Sequence, residues 1–258
     1  IYAKEQKKKQ TVLESLVEEL KGDPEAVPRL LQLGKLEQSR LGDAQKAEEA
    51  FVRALKLSPH YPEVVAALKT LYAETHEWKR AVDLLEQEIE ASHDPLQKAG
   101  MLRELAEIWR DPLQNADRAI PIYEELVRIT PHELKALSVL AELYFEKGRW
   151  NEAAPLFDRL VKISTSRKDP TRGARLFYQR GAISRKLGQT EEAIIYLNQS
   201  LSYDPNYIES IRALADLFYE LNQWDNALHM LRRALSLGRP DDQAYLHQHY
   251  FRLLQTLE

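Results

Sequence analysis

The sequence predicts an all-α stack of tandem helical hairpins, and three observations carry that prediction. Alanine recurs at Ala47, Ala81, Ala119, Ala153, Ala193 and Ala227, in steps of 34, 38, 34, 40 and 34 residues. The same neighbours return around it. A large apolar residue stands four positions on (Phe51, Leu85, Tyr123, Phe157, Leu197, Leu231), and three repeats carry a proline twelve positions on (Pro59, Pro131, Pro205). In four repeats a small residue precedes it by twelve or thirteen positions: Ala106, Ala141, Gly181 and Ala215. Two helices approach closely only where both present small side chains, so this pattern describes a packed hairpin crossing.

The elements follow in order. Val12, Leu13, Leu16, Val17 and Leu20 recur at helical spacing, and Gly22-Asp23-Pro24 ends that segment, so residues 5–20 form a helix ahead of the repeats. Repeat one covers about 25–59 with Gly42-Asp43 as its turn, its first helix (Leu30, Leu33, Gly34) one residue out of phase. Repeat two, about 62–93, keeps Leu68, Tyr72, Trp78 and Ala81 but has Lys69 where a small residue is expected, which predicts a looser crossing. Repeat three, about 98–131, holds Leu105, Ala106, Trp109, Ala119 and Tyr123 around an Asp111-Pro112 turn. Repeat four, 133–165, shows the fullest pattern: Leu137, Leu140, Ala141, Tyr144, Gly148, Trp150, Ala153 and Phe157. Repeats five (173–205) and six (207–240) follow with Phe177, Gly181, Gly188, Ala193, then Ile211, Leu214, Ala215, Phe218, Trp224 and Ala227. The two long steps place extra residues in Ser92–Pro95 and Ser164–Thr171, both expected as loops. Beyond Pro240, Leu246, Tyr250, Leu253, Leu254 and Leu257 form an apolar stripe expected to cap repeat six. Trp78, Trp150 and Trp224, each three residues before a repeat alanine, are expected to pack the hairpins.

A 34-residue period with these positions resembles the tetratricopeptide repeat. The resemblance implies a right-handed α-solenoid, divided as an N-terminal helix (1–22), about six repeats (23–240) and a C-terminal capping helix (241–258). It also implies a protein–protein interaction function, in which one face of each hairpin's first helix lines a concave groove. Members that clamp a C-terminal carboxylate use an asparagine in that groove. The matching positions here are Gln32, Ala67, Glu104, Val139, Gln179 and Ala213, so no such clamp is expected.

Composition narrows the function. Apolar residues at 44%, charged residues at 29% and only 9 glycines fit a folded helical protein and argue against disorder. A formal charge of -4 gives no global attraction to nucleic acid or anionic lipid. Zero cysteines exclude disulfides, thiolate metal sites and thiol nucleophiles. Gly-rich phosphate loops, the HExxH zinc helix and the nucleophile elbow are absent, so no enzyme activity, cofactor or metal is expected. His247 and His249, at i and i+2, point to different sides of a helix and are read as solvated. The first residue is Ile1, followed closely by Lys7, Lys8 and Lys9. That cluster is read as a solvated helix start, with a piece of a longer or membrane-anchored protein as the alternative. No apolar run is long enough to span a bilayer, and the N-terminal residues lack the charged, apolar and small-residue order of a signal peptide; a cytoplasmic location is expected, with the periplasm left open.

The candidate binding residues come from charge. From Arg167 to Lys186 the cations Arg167, Lys168, Arg172, Arg175, Arg180, Arg185 and Lys186 face Asp169 alone. Arg175, Tyr178, Ala182, Arg185 and Lys186 share one helix face. Carboxylates flank that face in the neighbouring repeats: Glu142 and Glu146 before it, Glu209, Asp216 and Glu220 after it. Such a stripe suits an acidic peptide or a helix of alternating charge, or is satisfied by pairing between adjacent repeats. Arg180 is a separate case, because it occupies the inward position of Leu68, Leu105, Leu140 and Leu214 and so requires a carboxylate or carbonyl partner. The leading expectation is an adaptor that holds a partner's peptide or helix and assists complex assembly. A self-assembling scaffold and a regulatory segment of a longer protein are the alternatives.

Overall fold

The computed structural model describes residues 2–20, 23–167, 170–237, 247, 250 and 251. It is 84% helical, and among the described residues it holds thirteen α-helices and no strand. Contacts divide the chain into two units, 1–129 and 130–258.

Unit 1 begins with α1 (Tyr2–Glu19) and continues with three hairpins: α2 (Val27–Leu36) with α3 (Ala44–Leu57), α4 (Pro62–Glu74) with α5 (Trp78–Ala91), and α6 (Pro95–Arg110) with α7 (Ala116–Ile129). α1 lays Leu13 and Val17 on the core containing Val27 and Leu30. Unit 2 holds α8 (Leu134–Glu146) with α9 (Trp150–Arg167), α10 (Pro170–Lys186) with α11 (Thr190–Tyr203), and α12 (Ile208–Glu220) with α13 (Trp224–Leu237). All six repeat alanines are buried, as are their bulky partners four residues on.

Glycine shows how tight the crossings are. A Cβ on Gly181 would lie 2.9 Å from Leu197 Cγ, and one on Gly34 would lie 2.3 Å from the Phe51 ring. Gly34 is therefore the small contact of repeat one, displaced by one residue. The backbone absorbs that residue in a π turn over Glu37–Leu41, closed by Asp43 N donating to Glu37 O at 3.0 Å. Repeat three absorbs its own extra residue in the turn after α6, where Asn115 N donates to Trp109 O at 2.7 Å.

Each hairpin turns through one left-handed residue placed five positions before the repeat alanine. These are Gly42, His76, Gln114, Gly148, Gly188 and Asn222, with φ between 48° and 75°. Trp78, Trp150 and Trp224 are half-buried beside these turns. Trp150 meets Phe145 edge-on at 5.4 Å and Trp224 meets Tyr219 at 5.2 Å.

Hairpin α4–α5, with Lys69 at its crossing, is the most open of the six. Ser92–Asp94 form the expected loop, and Asp94 caps α6 by accepting from Leu96 N at 2.9 Å. The second expected loop is a correction: α9 runs on to Arg167 and α10 opens at Pro170, so most of 164–171 is helical. Repeat four has Thr165 where repeats one, three and five have a proline, and with neither Gly nor Pro in its way the helix continues. The expected capping helix over 241–258 lies outside the described residues, apart from 247, 250 and 251. Tyr250 packs on the α12–α13 core and accepts from Arg232 Nε at 3.1 Å.

Candidate protein-binding groove

The predicted stripe lies on α10 within unit 2, and its arginines reach in both directions. Arg175 Nη2 donates to Glu142 of α8 at 3.2 Å. Arg185 Nη2 donates to Glu220 of α12 at 2.6 Å, and its other terminal nitrogen lies 3.6 Å from Asp216. These hydrogen-bonded partners are 33 and 35 residues apart, so the ties run between neighbouring first helices along the same face. Tyr178 is half-buried, its ring 5.7 Å from that of Tyr207, and burial with the nearby Glu209 charge pushes its phenol up. Glu146 and Lys186 stand exposed, with no ion-pair partner among the described residues. The structure thus pairs Arg175 with Glu142 and, separately, Arg185 with Asp216 and Glu220, and leaves Glu146 and Lys186 open.

A cavity of about 500 Å³ sits at the N-terminal end of this stripe, between α8, α9 and α10. Phe157, Leu160 and Leu176 form its apolar floor; Arg172, Arg175 and Gln179 stand along its edge. Arg172, which donates to Ser138 Oγ at 3.2 Å, was outside the stripe drawn from sequence. Its spacing was the available signal, since Arg172 precedes Arg175 by three residues and extends the same face by one turn.

Arg180 finds the carboxylate that its position requires. Its side chain is 7% exposed, Nε donates to Asp158 Oδ1 at 2.6 Å and Nη1 donates to Ser184 Oγ at 2.6 Å. Glu192 lies 3.8 Å away, and the guanidinium sits 4.7 Å from the centre of the Tyr196 ring. This network joins the buried Arg180 and Ser184 to the half-exposed carboxylates of Asp158 and Glu192, links α9, α10 and α11, and shares no partner with the stripe's ion pairs. Among the described residues no group of three or more His, Asp or Glu could hold a metal, and no helix is long and apolar enough to cross a membrane. His247 is exposed; His249 lies outside the described residues.

Models of the tetratricopeptide repeat match residues 132–205, and residues 39–103 with 185–248. The chain belongs to the tetratricopeptide-repeat family. It is accordingly a protein-interaction repeat module. Among curated relatives, it is 25% identical over 213 residues to Protein CTR9 homolog of Arabidopsis thaliana, covering 80% of this chain and 19% of that protein. Superkiller protein 3 of Schizosaccharomyces pombe is 23% identical over 238 residues, covering 86% and 16%. TPR repeat-containing protein YpiA of Bacillus subtilis is 24% identical over 284 residues, covering 98% and 66%. The chain therefore spans under a fifth of the first two relatives. Among solved structures, a MamA RS-1 double mutant superposes with a TM-score of 0.52 at 16% identity, covering 70% of this chain and 96% of that one. This likeness is one of fold.

Proposed function

We propose that this repeat module is a non-catalytic adaptor that holds an acidic peptide or helix of a partner protein along α8, α10 and α12, assisting assembly of a larger complex. The observation that carries the reading is the cavity beside the stripe, where Arg172 and Arg175 stand over the apolar floor of Phe157, Leu160 and Leu176. That combination offers one pocket for an apolar side chain and cations for carboxylates beside it.

The ion pairs already present do not block such a partner. Arg175 is 60% exposed and Glu142 47% exposed, and pairs this open contribute about 0–1 kcal/mol. An incoming carboxylate can replace Glu142 at small cost, and Lys186 adds a cation with no internal partner to lose. The apolar floor supplies affinity, while the arginines set orientation and on-rate.

Affinity capture followed by mass spectrometry names the partner. Reversing Arg175, Arg185 and Lys186 to Glu then weakens binding by about 1–3 kcal/mol, roughly five-fold to more than a hundred-fold, and parent binding falls with added salt. Reversing the exposed Lys7, Lys8 and Lys9 of α1 to Glu makes the same change in net charge outside the stripe and controls for it. Equal binding by the stripe variant and the parent at low salt would remove the stripe from the site. Light scattering across a concentration series tests the adaptor against a scaffold, since an adaptor keeps its size.

A further inference from the structure

Glu37, at the start of the π turn, is buried without an answer to its charge. The residue is 2% exposed, and its Oε2 is the only buried side-chain polar atom among the described residues that has no hydrogen-bond partner. A buried carboxyl in that position is tolerated far better as a neutral acid than as an anion. The charged groups that face it are Glu14 of α1 and, at the start of α3, Asp43 and Lys46; Gln10 of α1 hydrogen-bonds the carboxyl. Two of these three charges repel an ionised Glu37. The third, Lys46, is more than half exposed and lies 3.4 Å from Asp43, so it offsets little of a buried charge. Burial, the largest influence, pushes the carboxyl above 4.5.

The elements that enclose Glu37 are held with different strength. α2 and α3 close on each other where Gly34 meets the Phe51 ring, and they cannot part without opening that crossing. α1 is held unevenly along its length. Leu13 and Val17 are buried in the α2–α3 core with Leu20 packed beside them, whereas no residue from 6 to 12 is buried. There the half-buried residues are Gln6 and Gln10, one turn apart on one face. The half of α1 before Leu13 is thus held by polar contacts, that of Gln10 with Glu37 among them. Lifting it lets water reach the carboxylate and exposes little apolar surface.

We infer that Glu37 is a proton-operated latch for the N-terminal half of α1, which lies docked beside the π turn while Glu37 is protonated and lifts away when Glu37 ionises. Leu13 and Val17 keep the C-terminal half docked in both states. The segment that moves carries the exposed Lys7, Lys8 and Lys9, so the latch sets where this cationic cluster stands. A proton bound more tightly in the docked form stabilises docking at low pH. Docking then weakens as pH rises through the value that Glu37 takes when docked.

Because the chain has no cysteine, spin labels can be placed by Lys8→Cys and Arg53→Cys alone, at exposed positions on α1 and α3. Distance distributions between the labels, measured on the full chain from about pH 4 to about pH 8, should be narrow at the acid end and broaden with a midpoint above 4.5. Glu37→Gln keeps the shape of the side chain and removes its charge, so its distribution should stay narrow throughout. Lys46→Gln leaves Glu37 in place and removes the one attractive charge, which should move the midpoint to higher pH. That shift is read without relying on the folding of Glu37→Gln. A parent distribution that does not change with pH, a Glu37→Gln variant that broadens as the parent does, or a midpoint in Lys46→Gln that stays or falls would each overturn the proposal.

Discussion

At the scale of single residues, the crossing alanines and the turn residues set the tightest conditions. Ala153 and Ala141 have no exposed surface. Extra methylenes at a filled crossing force the helices apart, so Ala153→Leu is expected to cost about 1–3 kcal/mol, read as a lower urea midpoint at unchanged slope. The turns make the opposite prediction. Gln114 adopts φ 48° at the position filled by glycine in three other repeats. A left-handed conformation costs an ordinary residue roughly 1–2 kcal/mol, partly offset by the extra chain entropy that glycine loses on folding. Gln114→Gly should therefore raise stability by about 0.5–1 kcal/mol, whereas Gln87→Gly, on the exposed face within α5, should lower it by a similar amount. The alanines were legible in the sequence because a crossing tolerates little else. The turn position was not read as a set, because Gly, His, Gln and Asn fill it and their shared property is a dihedral angle.

At the scale of elements, two buried ionisable residues stand out, Arg180 within α10 and Glu37 in the π turn that follows α2. Arg180 was legible as a departure from leucine, and its need for a carboxylate followed from the cost of burying a lone charge. Which carboxylate would serve was not legible, since Asp158 arrives from α9, 22 residues earlier. Removing Asp158 strands the guanidinium, so Asp158→Ala should cost about 1–3 kcal/mol, below the full penalty of a broken buried pair because Asp158 is half-exposed. Arg180→Leu restores the residue type of the other repeats and should be close to neutral. In that background Asp158→Ala should cost little, and a double-mutant cycle by urea unfolding measures the difference.

Glu37 is the second case. It opens the π turn, is 2% exposed, and its Oε2 has no hydrogen-bond partner. Burial pushes its carboxyl above 4.5, against the lowering influence of Lys46; Asp43 and Glu14 add to the rise, and a hydrogen bond from Gln10 opposes it. The folded state then binds the proton more tightly than the unfolded state. Stability from this group is present below about 4.5 and is lost as pH rises through the higher folded value. Glu37→Gln should flatten the stability profile of unit 1 across that window and equal or exceed the parent at neutral pH. A steeper profile in the variant would contradict the assignment. Sequence periodicity showed that something was out of phase near Gly34, but a π turn has no residue signature, so its place was not legible.

At the scale of the whole molecule, the contact pattern is local. Within each unit a hairpin packs on its sequence neighbours, and in unit 2 recurring ties reach one repeat back: the guanidinium of Arg159 donates to the Pro131 carbonyl, and that of Arg233 to the Pro205 carbonyl. The period in the sequence revealed this arrangement, since each repeat buries its own faces. The α10 cavity was not legible, because it forms where three helices fail to meet and no residue marks a space. With stability distributed as a sum over repeats and their interfaces, unfolding should be less all-or-none than in a globular protein of equal length. The two units sharpen that expectation. Native-state hydrogen exchange should show α8–α13 opening at lower denaturant in Ala153→Leu, while the amides of α2–α7 keep their parent protection. Gln114→Gly should do the converse, raising protection around α6 and α7 and leaving unit 2 unchanged. If either substitution moved protection in both units equally, the chain would be unfolding as one cooperative body, and stability changes at one crossing would report on the whole molecule instead of on its own repeat.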